Sequence, residues 1–406
     1  MDTQNLLEIA KKYQTPFFLF DIDALQKRMC EIKKIVGNKI HICYAMKANP
    51  FLVKDMDSFV EKFEVCSPGE LSICQELGIN MDKVILSGVQ KTREDILDAA
   101  KNNVGLYTAE SLLHIKLLNE IAIEQETQFL VILRLTSGSQ FGMSKTDLLS
   151  VIKKRNEYSG LKIIGLHYFV GTQRKKIEKQ KAELEMLKKF IQQLQTEYNF
   201  TVKNLEYGPG LPVSYFTTDN FDDLFSPLKE LLPNLQELSQ LTELTVEMGR
   251  FFTAYCGYYV TQVMDTKSNC DQKRNEVTNY AIVDGGINHV NYLGQNMGMK
   301  IPIITHIKPY RKQTVASKNE EKAWMLCGSL CTTADILVRK IEMTDLAQND
   351  ILIFHNIGAY SITEGLNLFL SRKFPNVLLY NNKICTFARK DKQSYKINLL
   401  SGGEEK

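Results

Sequence analysis

Eight short apolar runs, alternating with stretches of helical spacing, constrain this chain more than any other feature. The runs are His41–Met46, Phe63–Cys66, Val84–Ser87, Val104–Tyr107, Phe129–Leu135, Ile163–Phe169, Leu205–Tyr207 and Leu244–Glu247. Periodicity predicts helices over Glu94–Lys101, Leu112–Glu124 (with Ser111 as N-cap), Asp147–Lys154 and Ile177–Tyr198. Runs apolar enough to be buried on both faces, repeated eight times, predict an α/β fold of the (β/α)₈ TIM-like barrel kind. A doubly wound open sheet shares the same periodicity, because spacing alone does not report closure.

Beyond Phe251 the texture changes. Tyr258–Met264, Ala281–Asp284, Ala323–Leu326, Ile351–Phe354 and Val377–Tyr380 read as strands joined mostly by loops, and the polar stretch 265–277 as a protruding hairpin or loop. Thr15–Phe20 (TPFFLF) is a further strand candidate, able to pair with that C-terminal sheet. The expected organisation is a barrel over 22–253 and a β-rich C-terminal domain built from 1–21 and 254–406. Among 406 residues, 50 Lys and Arg stand against 47 Asp and Glu, leaving +3. No single-sign field marks a nucleic-acid or membrane-surface binder. No apolar run approaches the roughly 18 residues of a membrane span, and MDTQNLLEIAKKYQ lacks the apolar core of a secretory signal. Nine scattered cysteines read as reduced thiols in a cytoplasmic protein. Cys327 and Cys331 have no matching second pair, so no metal site is expected.

In such a barrel the active site gathers at the C-terminal ends of the strands. Lys47, Arg134, His167, Phe169, Gly208, Gly210, Glu247 and Arg250 all fall at such ends. A lysine for a Schiff base, glycines and an arginine for a phosphate, and a carboxylate for a pyridine nitrogen form the set that a phosphorylated aldehyde cofactor requires. The histidine is read equally well as a satisfied core residue, and the basic run at 174–176 as the solvated start of a helix.

YAMKANP, FEVCSPGEL, HYFVGTQ, EMGR, CGSLCTTAD and NIGAYS, in this order, resemble the motifs of the fold-type III pyridoxal-phosphate decarboxylases, a family whose fold also occurs in alanine racemase. The resemblance implies that Lys47 carries the cofactor, pyridoxal 5'-phosphate, that Glu247 faces its pyridine nitrogen, that Thr172, Gly208, Gly210, Arg250 and Tyr360 surround its phosphate, and that Gly249 belongs to the cofactor-binding set. Glu64, Arg134, His167 and Phe169 join the implied cofactor-binding set. It further implies a homodimer with shared active sites, in which Cys331 is the partner subunit's proton donor, followed by Asp335 in the Cys-x-x-x-Asp pattern.

Departures from the family bear on the substrate. Phe169 stands where a histidine usually stacks on the ring. Pro209 interrupts the three-glycine turn and removes a backbone donor, and Met248 replaces the proline of EPGR. Thr332 stands where diaminopimelate decarboxylases carry a Glu, and Tyr292 where they carry an Arg. Each lost charge-assisted bond weakens recognition of a free diamino diacid by roughly 1.5–3 kcal/mol. The chain resembles instead the branch acting on carrier-tethered glutamate and on conjugated amino acids, which implies an α-decarboxylase of a conjugated substrate and an acyl-carrier protein as partner. Thr332, Tyr292 and Asp335 are the expected substrate-side residues. A diaminopimelate decarboxylase, an amino-acid racemase and a non-catalytic cofactor carrier are the competing readings.

Overall fold

The computed structural model describes residues 1–219, 221, 223–271, 276–292, 298–309 and 321–399. The chain divides into two compact units. One is formed by Gln26–Val213 and Asp222–Phe252, the other by Met1–Leu25, Ser214–Phe221 and Thr253–Lys406.

The first unit is the barrel. With β1 (Phe17–Asp21) belonging to the other unit, its strands are β2 (Ile40–Ala45), β3 (Lys62–Val65), β4 (Val84–Leu86), β5 (Leu106–Ala109), β6 (Phe129–Arg134), β7 (Leu161–Phe169), β8 (Asn204–Gly208) and β9 (Glu243–Met248). All pair parallel, and Ile40 and Cys43 of β2 register with Leu244 and Glu247 of β9, closing the ring. Closure rules out the open-sheet alternative. Cys43, Ile85, Leu106 and Ile132 form an apolar cluster inside, with Ile164 against it. Helices start where short polar side chains satisfy the first free amides. Ser67, Thr92, Ser111 and Ser144 each accept from a backbone amide three residues on, and Thr92 and Asp95 complete a reciprocal capping box. Each such cap is worth about 1 kcal/mol.

The second unit is a mixed sheet of β1, β10 (Gly257–Asp271), β11 (Glu276–Val283), β12 (Ile304–Ile307), β13 (Glu321–Cys327), β14 (Ile336–Thr344), β15 (Ile351–His355), β16 (Asn376–Asn381) and β17 (Ile384–Arg389). The N-terminal strand pairs antiparallel with β10 and parallel with β16, so TPFFLF does join the C-terminal sheet. Its Phe17 and Leu19 pack with Val260, Ile353 and Leu378, and Leu6 and Ile9 of helix Thr3–Lys12 cover them. Most of the polar stretch from 265 is ladder: Asp265–Asp271 pair antiparallel with Ile282–Glu276, while 272–275 lie outside the described residues.

Candidate active site

Each barrel strand ends in, or runs into, an ionisable side chain. In strand order these are Lys47, Glu64, Lys91, Glu110, Arg134, His167, Glu206 and Glu247. Lys47 sits in the single turn Met46–Ala48 that caps β2. Its Nζ lies 2.5 Å from Glu64 Oε2, 3.5 Å from Glu247 Oε1 and 3.7 Å from Cys66 Sγ. The turn is held from beneath by Gly249, where a Cβ would come within 2.7 Å of Ala48 Cβ and 2.8 Å of Ala45 O.

Glu247 Oε2 accepts from His167 Nε2 at 3.2 Å. Burial is the main cause that lowers His167 to about 3, with the Arg134 charge adding to it, so the ring is neutral. Its Nδ1 is buried and has no partner among the described residues. Burial also raises Glu64 above the usual carboxylate range, and the Glu247 charge adds to the shift. Arg134 donates to Glu110 Oε1 at 3.0 Å and lies over the ring of Phe141.

Past β7 and β8 two loops meet. The turn Gly208–Gly210 has Gly210 at φ +61°, and a Cβ there would stand 1.8 Å from Gly171 O. The ring of Phe169 packs on Gly208 so closely that a side chain at 208 would strike it. Thr172 Oγ1 accepts from Arg250 Nε at 3.2 Å. The Arg174 guanidinium forks onto Glu183 rather than lying free in solvent.

Four rim residues escaped the sequence reading. Glu110, directly after β5, follows the same strand-end rule as Lys47, which could have found it, whereas Glu206 lies in the middle of β8. Burial lowers Lys91 to about 8, and its Nζ donates to Gly88 O at 2.6 Å. Cys66 lies inside the FEVCSPGEL motif, but only geometry brings it to Lys47.

The second unit holds the remaining sequence-predicted residues. Cys331 and Thr332 are exposed on the loop after β13. Asp335 is 3% exposed, and its carboxylate accepts from the amides of Ile287 at 2.8 Å and Leu330 at 2.7 Å. The carboxylate thereby braces the backbone of the Cys331 loop. Tyr292 lies in the interior of the same unit. It is 1% exposed, packs against Tyr215 and Phe216, and donates to His355 O. Tyr360 occupies the left-handed region at φ +67°, which is rare for a bulky residue, and its carbonyl accepts from the amides of Thr363 and Glu364.

The donor set of the barrel fits pyridoxal phosphate. A primary amine stands between two carboxylates, a neutral histidine steadies one of these, and a glycine turn too tight for side chains lies across from Thr172 and Arg250.

Comparison with known proteins agrees. Residues 22–254 match the family model for the pyridoxal-binding domain of pyridoxal-dependent decarboxylases. The chain is 24% identical to the L-glutamyl-[BtrI acyl-carrier protein] decarboxylase of Niallia circulans, over 94% of this chain and 92% of that one. It is 26% identical to the 2-[(L-alanin-3-ylcarbamoyl)methyl]-2-hydroxybutanedioate decarboxylase of Staphylococcus aureus, over 91% and 95%. The crystal structure of diaminopimelate decarboxylase from Methanocaldococcus jannaschii with L-lysine superposes at a TM-score of 0.83 and 21% identity, covering 98% of this chain and 94% of that one. With more than half of its length matched by that model, the chain belongs to the pyridoxal-dependent decarboxylases of fold type III.

Proposed function

We propose that this enzyme removes the α-carboxylate of an amino acid whose distal end is conjugated to a larger group or tethered to a carrier protein. The observation that carries the reading is the loss of charge at 332 and 292. Thr332 is exposed beside Cys331 but uncharged, and Tyr292 is an interior aromatic. A free diamino diacid needs a charged partner for each distal group, and neither position offers one. The two relatives from Niallia and Staphylococcus act, by name, on amino acids attached to something bulky.

In this reading Lys47 would hold pyridoxal phosphate through its Nζ. The phosphate would lie at Gly208 and Gly210, with Thr172, Gly249 and Arg250 around it, and Tyr360 would complete the cradle. Glu247 would face the pyridine nitrogen, with Glu64, Arg134 and His167 around it and Phe169 against the ring. When bound, the cofactor supplies an electron sink for the pair left by departing CO₂. The residues supply the rest. His167, neutral and donating to Glu247, keeps that carboxylate oriented. Glu64 and Glu247 give the Lys47 amine its counter-charges, and the partner subunit's Cys331 would deliver the proton to Cα. Cytoplasmic residence and a homodimer sharing its active sites belong to the same proposal.

The test is CO₂ release from free meso-diaminopimelate, set against a glutamyl thioester of an acyl-carrier protein and an amide-conjugated diaminopropionate. Turnover confined to attached substrates supports the reading. Brisk turnover of free meso-diaminopimelate overturns it in favour of lysine biosynthesis.

A further inference from the structure

Pro209 leaves the phosphate turn one backbone donor short, yet the turn is tied down from the opposite direction. Gln180, in the first turns of helix Ile177–Tyr198, is completely buried. Its Nε2 donates both to Pro209 O at 3.3 Å and to Arg174 O at 3.0 Å. One amide thus bridges the loop after β8 to the loop after β7. The same two loops meet where Arg174 N donates to Gly210 O at 3.0 Å, and where the Gln173 side chain exchanges two hydrogen bonds with the backbone of Val213. Thr172 lies between these ties, with Arg250 on its hydroxyl. Gln180 Oε1 is buried without a partner among the described residues. The site therefore keeps an amide whose acceptor is unused for the sake of its donors, although a buried unpaired carbonyl is costly.

We infer that Gln180 is a positioning residue for the cofactor's phosphate, fixing the Gly208–Gly210 turn against the Thr172 loop so that the remaining amides and the Thr172 hydroxyl converge on one anion. The inference rests on the proposed cofactor placement and goes beyond it, because Gln180 itself touches no cofactor atom. Pulling both carbonyls onto one rigid helix removes the freedom that a proline-interrupted turn between two loops would otherwise keep. It does so without adding a charge that would compete with Arg250.

The experiment titrates cofactor-free enzyme with pyridoxal phosphate and, separately, with pyridoxal, which lacks the phosphate, following cofactor absorbance. In Gln180→Met the affinity for pyridoxal phosphate falls about tenfold, while affinity for pyridoxal stays at the wild-type value. Should Gln180→Met not fold, Gln180→Asn retains the amide but withdraws it by one methylene, and the same selective loss is expected. Equal weakening of both ligands, or of neither, overturns the inference. Wild-type protein that takes up no pyridoxal phosphate at all overturns the cofactor placement beneath it, which separates the two failures.

Discussion

The barrel rim and the loop bearing Cys331 hold their reactive groups by opposite means. At the rim, Lys47, Glu64, His167 and Glu247 stand on strand ends, touch one another, and the last three are each no more than 5% exposed. On the loop, Cys331, Thr332, Thr333 and Ala334 are all exposed, and one buried carboxylate, Asp335, organises the backbone beneath them. A group that carries a cofactor needs fixed charges around it, which strands in a closed barrel supply. On the proposed assignment, Cys331 only hands over a proton, and such a thiol needs a fixed backbone and an open side chain. The first change to try is therefore Lys47→Ala, which is expected to abolish both the cofactor's visible absorbance and turnover. Cys331→Ala, by contrast, is expected to leave the absorbance intact while CO₂-forming turnover falls about 10²–10⁴-fold. If both variants lose absorbance, the division of labour between rim and loop is wrong.

A smaller effect follows from Asp335. Gly286 and Gly328 crowd its carboxylate so closely that a Cβ at either would come within 2.6 Å of its oxygens, and two backbone amides depend on it. Asp335→Ala strands those amides at a cost of about 1–3 kcal/mol each. Its expected signature is a lowered kcat with unchanged affinity for pyridoxal phosphate. A drop in cofactor affinity instead would tie Asp335 to the rim.

How much of this was legible in the sequence differs between the regions for a physical reason. Strands buried on both faces must be apolar, so all eight runs stand out, and an ionisable residue at the end of one is conspicuous. The lysine, the glycine turn and Glu247 follow directly. Glu110 and Lys91 lie a few residues beyond the apolar runs and Glu206 lies within one, so none of them stands out at a run's end. Pairings such as Arg134–Glu110 depend on closure, which spacing does not encode. In the β-rich unit, Tyr292 and Asp335 were assigned to the substrate side by the motifs they accompany. Whether a polar side chain faces outward or is engaged by buried amides depends on the tertiary fold, and both turned inward. Gln180 carried no signal, because a glutamine on a helix of mixed polarity reads as surface.

Acid sharpens the comparison further. Each unit buries a neutral histidine: His167 at the rim and His289 in the sheet unit, both lowered to about 3, chiefly by burial. Asn288 Nδ2 donates to His289 Nε2, so the ring's single proton sits on Nδ1, where it meets the hydroxyl of Tyr259 at 2.9 Å. Protonating the ring would set two N–H groups against each other. Below about pH 6.5 the unfolded chain takes up protons that these rings refuse. Stability is therefore whole above that pH and declines as pH falls toward 3, by about 1.4 kcal/mol per pH unit for each histidine. At the rim, Glu64 and Glu206 work in the opposite sense. Burial raises both, so the native state takes up their protons before the unfolded chain does, and they gain stability as pH falls. His289→Asn should consequently flatten the loss of stability between about pH 6 and 4, read by urea unfolding, while Glu206→Gln should steepen it. An unaltered slope in His289→Asn would mean that this ring accepts a proton in the folded state.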